Sequence, residues 1–191
     1  TDTGIAVLYS PDLIVRGNTI AHALDGGGAG IAIKDSGSAL VEGNAVLHCA
    51  AGLSANAPLN AEAVLTVRNN RFAHNVVGIY FYGEKGGHRI EANRFENNLT
   101  QVAVSAAGVG EANLWQGNAW SDYQGFDRDH DGIGDTPHEI WLYTDRIWME
   151  TPRAKFFANS PALELLDLLE RLAPFASPSL ILRDPAPRMA Q

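Results

Sequence analysis

Apolar and polar positions along the first 120 residues alternate in short β-type runs, and nowhere there do the apolar ones recur at helical spacing. Five segments align on an asparagine: VRGNTIAH (15–22), VEGNAVLH (41–48), VRNNRFAH (67–74), IEANRFEN (90–97) and WQGNAWSD (115–122). The anchors Asn18, Asn44, Asn70, Asn93 and Asn118 are spaced by 26, 26, 23 and 25 residues. Three residues before each stands Val15, Val41, Val67, Ile90 or Trp115, and two after stands Ile20, Val46, Phe72, Phe95 or Trp120. A further strand is predicted after each turn: GIAI (30–33), GLSA (52–55), GIYF (78–81) and QVAV (101–104). GIAV (4–7) reads as the tail of a rung whose beginning is missing. A unit this short cannot bury its own apolar face, but stacked on neighbours about 4.8 Å away it can, which predicts a parallel β-solenoid. The anchor asparagines are expected at left-handed corners, with amides bonded from rung to rung. The longer spacings are read as turn insertions at 25–28 and 57–61. A β-sandwich would instead show hairpin turns and no fixed asparagine phase.

After Trp120 the pattern stops, which divides the chain into rungs (1–121), a cap (122–150) and a C-terminal segment (151–191). The cap holds Trp141, Tyr143 and Trp148 and is expected to fold over the open edge of the last rung. Ser160-Pro161 is a helix start, and the Leu163, Leu166, Leu169, Leu172 stripe predicts one short α-helix ending before Pro174. The proline-rich tail beyond it carries an apolar patch, Leu180-Ile181-Leu182, expected to be extended and docked. The stretch Leu163–Leu182 either caps the core or docks on a partner.

Composition refines this picture. Hydrophobic residues make up 46% and charged residues 19%, as in a globular chain. With 14 basic against 22 acidic side chains and a net charge of −8, a nucleic-acid partner is disfavoured. Residues 122–150 contain eight acidic and two basic side chains, so most of the acidity belongs to the cap. The lone Cys49 excludes an internal disulfide framework and a cysteine-rich metal cluster. No apolar run reaches the roughly 18 residues of a membrane span. The chain opens directly on a strand without methionine and is expected to be part of a longer product.

The most specific local feature is Asp127-Arg128-Asp129-His130-Asp131-Gly132-Ile133-Gly134-Asp135. Carboxylates at alternate positions, a glycine for the sharp turn and a further carboxylate match the start of a calcium loop. Asp127, Asp129 and Asp131 would supply carboxylates, Ile133 a carbonyl, and Asp135 a direct or water-mediated contact to a structural Ca2+. His138 stands where such loops place a bidentate glutamate. His22, His48 and His74 fall four residues after successive anchors and predict a column of imidazoles. Two of them could share a soft or borderline metal, with Cys49 adjacent; the alternative is a solvated column or one that merely serves the turn. His130, His138, Met149 and Met189 are scattered soft ligands with no diagnostic spacing. A catalytic solenoid needs carboxylates projecting together from neighbouring rungs, and strands 31–33, 53–55, 79–82 and 102–104 contain none. Tyr80 and Tyr82 could stack on a sugar, so a carbohydrate-binding or carbohydrate-active module is the alternative reading. DGGGAG (25–30) lacks the lysine and helix of a phosphate loop. The chain is therefore read as a scaffold and not as an enzyme.

The rungs running into Gly117-Asn118-Ala119-Trp120-Ser121-Asp122-Tyr123, then Gly125, the DxDxDGIGD loop and Thr136-Pro137, resemble the C-terminal part of the NosD family. The resemblance implies a right-handed parallel β-helix exported to the periplasm. It also implies association with the ATPase and membrane subunit of an ABC transporter, so that membrane attachment comes through partners only. The family context adds a copper-donor lipoprotein and a transient copper cargo for nitrous oxide reductase, the copper enzyme of denitrification.

Overall fold

The computed structural model describes residues 3–56, 62–83, 85–105, 109–142 and 179–189. Its strands form three parallel five-stranded sheets that wrap one core. The first face stacks β1 (Thr3–Leu8), β4 (Ala29–Lys34), β7 (Ala51–Asn56), β10 (Val77–Tyr82) and β13 (Thr100–Val104). The second stacks β2 (Asp12–Arg16), β5 (Ser38–Glu42), β8 (Leu65–Arg68), β11 (Arg89–Glu91) and β14 (Leu114–Gln116). The third stacks β3 (Thr19–Ala21), β6 (Ala45–Leu47), β9 (Arg71–Ala73), β12 (Arg94–Glu96) and β15 (Ala119–Trp120). Each coil visits the faces in turn, so a strand pairs with the strand one repeat later: a parallel β-helix. Among the described residues there is no helix, and the helix predicted after Ser160 lies outside them, as do Tyr143, Trp148 and Met149.

The period-two alternation sends the predicted positions inward. Val41, Val67, Ile90, Val46, Phe72 and Phe95 are fully buried, and each such side chain is worth about 1.5–3 kcal/mol relative to exposure. Toward the cap the interior fills with rings: Phe72 stacks on Phe95 at 5.5 Å, and Phe95 on Trp120 at 4.2 Å. The first face makes room for them with Gly30, Gly52 and Gly78. A Cβ on Gly52 would fall 2.5 Å from the Gly78 carbonyl oxygen and 2.8 Å from the Phe72 ring, so only glycine fits this close approach.

The anchor asparagines form the expected ladder. Asn44 uses its backbone N–H and its Nδ2 to donate to Asn70 Oδ1, both at 2.9 Å, and the second Nδ2 hydrogen goes to the Val15 carbonyl. Asn18, Asn70 and Asn93 donate to the next anchor in the same way. The left-handed backbone, however, falls one residue earlier than expected, at Gly17, Gly43, Asn69, Ala92 and Gly117. The anchors themselves are not at positive φ: they serve the ladder through their amides, and the residue before each makes the reversal.

Beyond the last coil, β16 (His138–Leu142) pairs antiparallel with β17 (Ser179–Asp184). Ile181 and Leu182 enter the common core, 4% and 0% exposed. This part of the predicted docking patch is therefore taken up by the molecule's own end. The strap continues past β17: the Arg188 N–H donates to the Asn118 carbonyl and the Met189 N–H to that of Gly132.

Candidate functional site

The third face ends at a corner where His22, His48, His74 and Asn97 all have positive φ, between 52° and 65°. Their backbone N–H groups are tied to the next coil: His22 donates to the Leu47 carbonyl, His48 to that of Ala73 and His74 to that of Glu96. The Cα positions are thus held one rung apart, and the three side chains project into solvent. The rings stack, His22 on His48 at 5.3 Å and 6°, His48 on His74 at 5.1 Å and 10°.

Cys49 follows His48 but faces the other way. It is fully buried and occupies a second polar ladder, where its N–H donates to Asn75 Oδ1 at 2.9 Å and its thiol lies 3.3 Å from the Leu47 carbonyl. One coil on, Asn75 donates to Asn98 Oδ1 from both N–H and Nδ2. Burial pushes the Cys49 thiol up, and backbone hydrogen bonds with Ala23, His22 and Leu47 only partly offset this. Copper wants exposed, soft or borderline donors with the thiol ionised. The imidazoles meet that requirement; Cys49, buried and held as a neutral thiol, does not.

The acidic loop brings Asp127, Asp129 and Asp131 together, with ligand oxygens within 4.8 Å of one another. Asp127 accepts from the N–H groups of Asp131 and Gly132, and Asp131 from that of Ile133. Asp127 is held below the usual carboxylate range: slight desolvation pushes it up, but those backbone N–H groups, that of His130 and a bond with Asp129 outweigh it. Asp135 accepts from the Arg128 N–H at 2.8 Å, and Ile133 bridges to Arg188. His138 does not close this loop. It opens β16, is buried, and stacks on Trp120 at 4.8 Å, with Nε2 3.7 Å from Asp122 Oδ1. Burial lowers its basicity more than Asp122 and Asp184 raise it.

Two structurally decisive side chains escape a reading by motif. His88, in line with Leu65 and Asn113, accepts the Leu65 N–H through Nδ1 at 3.1 Å and is buried. Asp184 ends the asparagine ladder: Oδ2 accepts from the Asn118 N–H, Asn118 Nδ2 and Trp120 Nε1, and Oδ1 from the N–H groups of Gly117 and Ala186. The only signal for His88 was its register two residues before Ile90. Asp184, 66 residues from Asn118, carried none.

Three glutamates on the coils are engaged with arginines. Glu42 bridges Arg16 and Arg68 at 2.8 Å each, Glu91 pairs with Arg89, and Glu96 with Arg71 and Arg94. Tyr80 and Tyr82 are tilted by 46° and offer no single flat platform for a sugar.

A family model described as "Periplasmic copper-binding protein (NosD)" matches residues 1–125. A "Probable ABC transporter binding protein NosD" of Pseudomonas aeruginosa is 38% identical over 120 residues, covering 62% of this chain and 28% of that protein. A protein of the same description from Stutzerimonas stutzeri is 35% identical over 104 residues, covering 54% of this chain and 24% of its own length. The matched region thus spans about a quarter of these relatives. Both descriptions are of binding proteins and not of enzymes, in keeping with a solenoid scaffold. With the family model covering well over half of its length, the chain belongs to the NosD family of periplasmic copper-binding proteins.

Proposed function

We propose that this chain is part of a periplasmic accessory scaffold that works with an ABC transporter to hand copper to nitrous oxide reductase. The observation that carries the reading is the family match over residues 1–125, on coils whose outward corner presents borderline nitrogen donors. The relatives' description as ABC transporter binding proteins supports the transporter as partner. A copper-donor lipoprotein completes the delivery route. Copper is the cargo here, and the chain's own part is to hold a rigid, register-fixed surface along which partners align. The test is the copper content of nitrous oxide reductase purified from a host lacking the gene for this protein. Reductase accumulating without its copper supports the reading, and fully loaded reductase overturns it.

The loop at Asp127, Asp129 and Asp131 is read as a structural hard-cation site that stiffens the cap and offsets its acidity. Calcium should raise the melting temperature of the parent and leave an Asp129→Asn/Asp131→Asn variant unmoved. An unresponsive parent would make the loop an acidic turn and nothing more.

A further inference from the structure

We infer that His22, His48 and His74 form a shared chelating column: one divalent transition-metal ion is held by two imidazoles from neighbouring coils, with His48 common to both possible pairs. The inference rests on the copper-handling reading and names the residues it would use.

A left-handed corner alone does not call for histidine. The same chain places Asn97 in this column at φ 52°, and glycine and alanine at the parallel corner before the anchors. Three successive imidazoles therefore exceed what the backbone needs. Nor are they used in packing, since all three are exposed while the residues that follow, Ala23, Cys49 and Asn75, are buried. What the corner supplies is placement. Hydrogen bonds from each histidine N–H to the next coil fix the stems one rung apart, and the rings already lie 5.1–5.3 Å from one another.

Imidazole lone pairs lie in the ring plane, so in the stacked arrangement they run parallel and do not converge. A shared ion, at about 2.0–2.1 Å from each nitrogen, requires two rings to turn toward each other. All three side chains are exposed, so that rotation gives up the ring stacking but disturbs no core contact. Because His48 can turn toward only one side at a time, the column takes one ion. Imidazole suits copper, zinc and nickel, and copper(II) heads the affinity order for divalent ions at such a site.

The experiment titrates the full chain, and His22→Asn, His48→Asn and His74→Asn variants of it, with copper(II) by calorimetry. Zinc(II) serves as a diamagnetic probe of the imidazole resonances. Asn is chosen because Asn97 holds the same corner, so each variant should keep the parent's melting temperature. An Asp129→Asn/Asp131→Asn background removes the acidic loop as a competing site. The expected result is one ion per chain in the parent and a loss of at least about tenfold in His48→Asn. His22→Asn and His74→Asn should lose less, because one adjacent pair survives in each. Zinc should shift imidazole resonances in the parent and not in His48→Asn. Equal losses in all three variants, or copper binding unchanged in His48→Asn, overturns the column. Such a result leaves the proposed role standing, which is judged separately by the copper content of the reductase in the gene-deleted host.

Discussion

In the coils, each interior anchor asparagine accepts from the coil before it and donates to the coil after it; in the cap, Asp184 only accepts. An amide can repeat indefinitely because it carries both halves of the bond. The end of a stack has no further coil to accept from it, so Asn118 meets a carboxylate, which offers oxygens and no hydrogens. Five donors converge on that buried carboxylate, two from backbone ahead of or at the last anchor, one from its amide, one from Trp120 and one from Ala186. The regular part of the molecule is thus periodic in sequence as well as in space, whereas the end is periodic in space only.

The sharpest way to break this contrast is Asp184→Ala, which strands buried donors around Asn118 and Trp120. A loss of at least about 3 kcal/mol is expected in urea unfolding, since each unsatisfied buried donor costs about 1–3 kcal/mol. Asp184→Asn tests the direction of the ladder: its amide hydrogens would face other donors, so it should recover only part of the loss. An Asn variant as stable as the parent would show that the stack does not need an acceptor-only end. Next in size is Asn70→Ala, which removes a fully integrated rung amide and should cost about 2–4 kcal/mol. Asn18→Ala should cost less, because Asn18 is half-buried where Asn70 is fully buried. Similar losses at the two positions would argue against stacking as the source of stability.

The smallest effect concerns pH at the cap. His138 has its basicity lowered by burial, with Asp122 and Asp184 opposing. The unfolded chain therefore binds this proton more readily than the folded one. Stability should be full above the ordinary value of 6.5 and should fall as the pH drops below it. A His138→Gln variant should flatten that slope in melting temperatures taken between neutral and mildly acidic pH. An unchanged slope would remove His138 as its source.

The coils were legible because their contacts recur from coil to coil at offsets close to the repeat, 26 residues from Asn44 to Asn70 and 23 from Asn70 to Asn93. Val41 packs against Val67 in register, and Asn44 bonds Asn70, so the same few residue types reappear in phase. The histidine column was legible for the same reason. The pattern puts the left-handed position one residue late, because it does not say whether an asparagine is used for its backbone or for its amide. Cys49 looked like a neighbour of the histidines, yet at a corner consecutive side chains point to opposite sides, and only packing tells which is inside. In the cap, the alternate aspartates marked a carboxylate cluster, but His138 left the loop to stack on Trp120.

By itself, then, the sequence determined the coil, its phase and the column it projects, because stacking turns a sequence offset into a spatial neighbour. Only the tertiary structure decided how the stack ends, that Ile181 and Leu182 close its core, and that Cys49 is sealed inside. Those outcomes depend on contacts between residues far apart in the chain or on opposite sides of it, and no repeat encodes them.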